Sequence, residues 1–119
     1  MDSKKHPTDS AADPQLSFLA DAQGRLLHMR SMLPRGEQAL DKGPIADIAD
    51  TARQLALQAD QVGLMQISAA ADAVEHTADR AQTSRRLDAP EITLRLKVQL
   101  EALEEQIRED LIDHAPVTA

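Results

Sequence analysis

The chain has 119 residues, a net charge of −7 and 42% apolar side chains, but only 1% aromatics, with Phe18 the single one. Its length suits one domain with one modest core. The acidity argues against phosphate backbones and anionic lipid as partners, the missing aromatics argue against base stacking, and the absence of cysteine excludes disulfides, thiolate metal sites and a cysteine nucleophile.

Residues 1–12 are polar and charged and are expected to form a disordered tail. The opening MDSKKHPTDS has no apolar stretch of the kind a secretory signal needs, and no run approaches the ~20 apolar residues of a membrane span. A cytoplasmic protein away from membranes is the expectation. Asp13-Pro14, Gly43-Pro44 and Ala89-Pro90 each place proline where a first helical turn can begin, because proline there loses no intrahelical hydrogen bond. Asp13 is a candidate N-cap, and Asp88 could cap the third start or favour its positive dipole end.

The first helix is predicted from Pro14 to Leu33, with Leu19, Ala22, Leu26, Met29 and Leu33 forming one apolar stripe. Pro34 and Gly36 break it, and residues 34–43 form a loop with one short turn at Glu37 to Leu40. A long helical run follows from Pro44 to Ser84. Its stripe of Ile45, Ile48, Ala52, Leu55, Ala59 and Val62 changes phase at Gly63 and resumes as Ile67, Ala71, Val74 and Ala78. A phase change beside glycine predicts two helices joined by a tight turn. The last helix is predicted from Pro90 to Asp113. Its wide stripe is Ile92, Leu96, Leu100, Leu103, Ile107 and Leu111, with Leu94 and Val98 on the flank and Glu101, Glu104, Glu105 and Asp110 on a wet face. Four amphipathic helices with short connections give an all-α, antiparallel four-helix bundle over residues 13–113, followed by a tail at 114–119.

The order of elements, the Val62-Gly63-Leu64 turn and the segment from Ile67 to Val74-Glu75 resemble the histidine-containing phosphotransfer (Hpt) domain of two-component phosphorelays. The likeness spans most of residues 14–112 and implies a four-helix bundle in bacterial signal transduction. In that family the third helix carries a pattern like A-H-x-L-K-G-S-A ahead of a turn with L-G. Registered on Gly63, Ala52-Arg53 stands at the family's Ala-His pair, Leu55 matches its leucine, Ala56 replaces its lysine and Leu57 its glycine.

These departures have chemical consequences. Imidazole, with a reference pKa of ~6.5, is a nucleophile at neutral pH and can accept a phosphoryl group. Guanidinium, with a pKa above ~12, has no lone pair to attack with. Ala56 cannot balance phosphoryl charge, and Leu57 adds bulk where a receiver domain would approach closely. The expectation is therefore a non-catalytic, pseudo-phosphotransfer protein with no cofactor. It would bind a response-regulator receiver domain or a histidine kinase through Arg53, Leu57, Ala56, Asp60 and Leu64. Arg53 would reach the acidic pocket that the resemblance implies in a receiver, and Leu57, one turn on, would be the apolar anchor. Leu57, Leu64 and Met65 would form an apolar patch if exposed together.

Two alternatives stand beside this. His76, in Glu75-His76-Thr77, resembles a phosphoacceptor His-Thr pair but lacks the rest of the motif; it or His28 would be the nucleophile of a working phosphotransferase. The bundle could instead be a structural module, its last helix packing against a second copy in a homodimer. His6 and His114 lie near the termini with no evident role, and no histidine pair has metal-ligand spacing.

Overall fold

The computed structural model describes residues 14–33, 42–83 and 89–114. They form four helices and no strand: α1 (Pro14–Ser31), α2 (Lys42–Gln61), α3 (Met65–Thr83) and α4 (Ala89–His114). Each helix packs on two others, α1 and α3 each lying between α2 and α4. Side-chain pairs across the helices run antiparallel. Gln15 at the start of α1 meets His114 at the end of α4, and Arg30 near the end of α1 meets Glu104. The bundle expected from the periodicity is the observed fold.

The core divides its volume unevenly. α2 and α3 contribute seven buried alanines, Ala49, Ala52, Ala56, Ala59, Ala71, Ala78 and Ala81, whereas α4 contributes Leu96, Leu100, Leu103 and Ile107. Small side chains let two helix axes approach, and bulky ones fill the space facing them. The approach of α2 and α3 is visible in Ser68, whose hydroxyl on α3 donates to the carbonyl of Ala56 on α2 at 2.9 Å.

The predicted stripes lie inside. Leu19, Ala22, Leu26 and Met29 are buried on α1; Ile45, Ile48, Ala52, Leu55 and Ala59 on α2; and Ile67, Ala71, Val74 and Ala78 on α3. Phe18, outside the predicted stripe, is buried as well. Leu33 and Val62 are half-buried, because both lie in turns just past their helices. On α4 the inward row is Thr93, Leu96, Leu100, Leu103 and Ile107; Ile92 and Leu111 are half-buried at its edge, and Leu94 and Val98 are exposed.

Helix ends differ from expectation by one or two residues. α2 begins at Lys42, so Pro44 lies inside its first turn, where backbone N–H groups have no intrahelical acceptor to lose. α4 continues through His114, which was expected to begin the tail. The imidazole explains the extension. Its Nδ1 lies 2.8 Å from the Asp110 carbonyl, and its Nε2 is hydrogen-bonded to Gln15 Oε1. Gln15 Nε2 in turn donates to the Val62 carbonyl at 2.6 Å, so one chain of contacts ties the end of α4, the start of α1 and the α2–α3 turn. The expected tails, the 34–41 segment and the Asp13 and Asp88 caps lie outside the described residues.

The α2–α3 turn is a helix C-cap with a positive-φ glycine. Gly63 has φ 83°, Leu64 N–H donates to the Ala59 carbonyl at 2.8 Å, and Gly63 N–H donates to the Asp60 carbonyl at 3.1 Å. This is the paired bonding of a Schellman motif, in which the residue after glycine folds its apolar side chain back onto the helix. Leu64 does so and is 8% exposed.

Candidate functional site

α2 presents Arg53, Leu57 and Asp60 to solvent on successive turns. The helix that buries Ala52, Leu55 and Ala59 necessarily turns these intervening positions outward. Leu57 is 59% exposed, and across the turn Met65, at the start of α3, is 57% exposed. Large apolar side chains left this open beside a charged residue are the raw material of protein contacts rather than of the core.

Arg53 is not a loose surface cation. Its Nε donates to Glu75 Oε2 on α3 at 2.9 Å, and its Nη1 lies 3.7 Å from Asp50 Oδ1 one turn earlier. The hydrogen bond to Glu75, then that carboxylate's charge, raise the pKa of the guanidinium above its already high ordinary value. A group raised in this way loses its charge only as pH climbs past that value, so Arg53 stays cationic under ordinary conditions. A guanidinium has five N–H donors in a rigid fork. Glu75 engages the Nε edge and thereby fixes the plane, while the side chain as a whole remains half open to solvent.

Two residues expected on this face do not reach it. Ala56 is 9% exposed and packs in the core, and Leu64 is folded inward by the cap. α2 lies between α1 and α3 and so buries two adjacent ridges. Ile48, Ala52, Leu55 and Ala59 make one; Ala49 and Ala56 belong to the second. Of Leu57, Leu64 and Met65, only Leu57 and Met65 are exposed, as are Arg53 and Asp60 on α2. Sequence reasoning missed Glu75 and Ser68. Folding the hairpin about Gly63 would have found both, because that register brings the 50s of α2 opposite the late 60s and 70s of α3.

His28 and His76 lie elsewhere. His28 is exposed, with Nε2 3.3 Å from Asp47 Oδ2. His76 is exposed on α3 and faces a groove toward α4, whereas its neighbour Glu75 faces α2. Arg53 and His76 therefore belong to different surfaces. Among the described residues no group of three or more His, Asp or Glu side chains is placed to hold a metal ion, and no helix is long and apolar enough to cross a membrane.

No family model matches the chain, and no curated protein or solved structure matches it.

Proposed function

We propose that this protein is a non-catalytic, Hpt-like docking module that binds the receiver domain of a two-component protein and modulates phosphorelay signalling. The observation that carries the reading is the pairing of a fixed cation with an open apolar anchor. Arg53 stands at the position the resemblance assigns to the phosphoacceptor, held by Glu75, and Leu57 lies exposed one turn further on. An arginine whose plane is already set loses less freedom on meeting a carboxylate pocket than a free one, and arginine beside an apolar anchor is a combination that binding hot spots favour.

In this reading Arg53 enters the acidic pocket of the receiver, Leu57 and Met65 bury against its rim, and Asp60 sets orientation by charge. No bond is made or broken. The module acts by occupying the receiver surface that a true phosphotransfer protein would use.

The test is a binding screen of the purified chain against receiver domains from the same organism, each bare and as its beryllofluoride adduct. Saturable binding to one receiver is expected, weakened ~10-fold or more by Arg53→Ala and by Leu57→Ala. Absence of binding to every receiver, or affinity unchanged in both variants, would overturn the proposal.

A further inference from the structure

We propose that the groove between α3 and α4 is a binding site for a phosphate monoester. It is distinct from the Arg53 face and independent of the docking reading. The groove is open to solvent, has a volume of about 380 Å³ and is lined by Asp72, His76, Thr77 and Arg80 of α3 and by Arg95 and Gln99 of α4. His76 and Arg80 lie one turn apart on α3, and Arg95 and Gln99 lie one turn apart on α4, so both helices turn donors into the same space.

Three features single this groove out. First, its charge runs against that of the molecule. The chain carries −7, yet the groove is lined by two guanidinium groups and one carboxylate, Asp72, with Glu91 beside Arg95. Second, its cations are weakly engaged. Arg80 has no ion pair among the described residues, and Arg95 only a 3.6 Å contact with Glu91 in which both side chains are largely exposed, a geometry that contributes little. Third, among the described residues Gln99 Oε1 is buried with no hydrogen-bond partner. A buried carbonyl oxygen without a donor is destabilising, and a turn of the terminal Gln99 amide toward the groove would bring it to a ligand that supplies one.

A second polar groove, between α1 and α2, shows the contrast. There Arg25 is bonded to Asp21 at 3.0 Å and to Gln54 at 3.3 Å, and His28 meets Asp47. Its one guanidinium already has its anion, and its imidazole already has a carboxylate beside it.

The ligand class follows from this inventory. Arg80, Arg95, His76 and the Thr77 hydroxyl ask for several acceptor oxygens, and Gln99 Oε1 asks for one donor. A carboxylate offers two oxygens and no donor. A phosphate monoester offers three non-bridging oxygens and, near its second pKa of ~6, a P–OH. The groove also has room beyond a bare phosphate for the esterified arm. The same chemistry is presented by a phosphorylated side chain and by a small phosphorylated metabolite.

The test is an amide NMR titration of the full chain near pH 6 with a phosphoserine-containing peptide, glycerol phosphate, inorganic phosphate and sulfate. Saturable shifts are expected at residues 72–80 and 95–99 with the esters. Affinity should fall about 10-fold or more in Arg80→Ala and in Arg95→Ala, as expected for loss of a charge-assisted hydrogen bond. Arg108→Ala, which removes the same charge elsewhere on α4, should leave it unchanged. Sulfate, which carries no O–H at this pH, should bind more weakly than the esters, and Gln99→Leu should narrow that difference. Tighter binding by the peptide or by glycerol phosphate identifies the source. Shifts that do not saturate, shifts mapping outside the groove, or equal affinity in Arg80→Ala and Arg95→Ala with helicity retained would overturn the proposal.

Discussion

The same substitution, glycine to alanine, should move stability in opposite directions at two positions of this bundle. Gly63 holds φ 83° in the α2–α3 cap, a left-handed conformation that disfavours an L-residue with a Cβ by ~1–2 kcal/mol. There is no steric addition, because the nearest atom to an added Cβ is Gln15 Nε2 at 3.6 Å, an ordinary contact. Alanine also restricts the unfolded chain, which returns ~0.4–1 kcal/mol. The net expectation for Gly63→Ala is a loss of about 1 kcal/mol. Gly24 lies in the middle of α1, exposed, with nothing within 4 Å of a built Cβ. Helical glycine there is disfavoured relative to alanine by ~0.5–1 kcal/mol, so Gly24→Ala should stabilise by that amount. The two variants should differ by ~1.5–2 kcal/mol, or ~6–8 °C in melting temperature for a chain of this length. Thermal and urea unfolding followed by far-ultraviolet circular dichroism suits a chain with no tryptophan or tyrosine. A Gly63→Ala protein as stable as the parent, or two shifts of the same sign, would refute the argument from backbone conformation.

Leu100, fully buried on α4 opposite the alanine-rich pair, should lose ~2–5 kcal/mol on truncation to alanine, read as a lower urea midpoint with the slope retained. Ser68→Ala should lose ~1 kcal/mol by removing the one donor that ties α3 to the Ala56 carbonyl; equal midpoints would show that this carbonyl finds water instead. Gln15→Leu should faster exchange the amides around the α2–α3 turn and at the end of α4, since both the Val62 carbonyl and His114 lose their partner; hydrogen exchange confined to α1 would contradict the linkage. Arg53→Ala should lower the melting temperature only modestly, because Arg53 is half exposed although Glu75 is largely covered, and helicity retained in that variant would make a loss of the proposed receiver binding a lost contact rather than a lost fold.

Much of the fold was legible in the residues themselves. The stripe from Leu19 to Met29, the stripe from Ile45 to Ala59 and the one from Ile67 to Ala78 are all buried as their spacing implied, and the phase change at Gly63 marks the turn. These features depend on neighbours within four positions, where helical geometry leaves few choices. The candidate face was only half legible. Arg53, Leu57 and Asp60 are open as expected, but Ala56 and Leu64 are not. Alanine carries no strong signal of its own, being at home on either surface. Leu64 belongs to no helical stripe, so its burial follows from the cap rather than from periodicity.

The sequence by itself determined four helices, their order, the turn and most of the inward-facing side chains, because hydrophobic period and helix-stop chemistry are local properties. Only the tertiary structure decided which side chains meet across helices. The clamp of Glu75 on Arg53, the chain from His114 through Gln15 to Val62, and the gathering of His76, Arg80, Arg95 and the orphaned Gln99 carbonyl in one groove each join residues distant in the chain. Such meetings depend on the register and separation of whole helices, which the packing of small residues on α2 and α3 against large ones on α1 and α4 sets collectively.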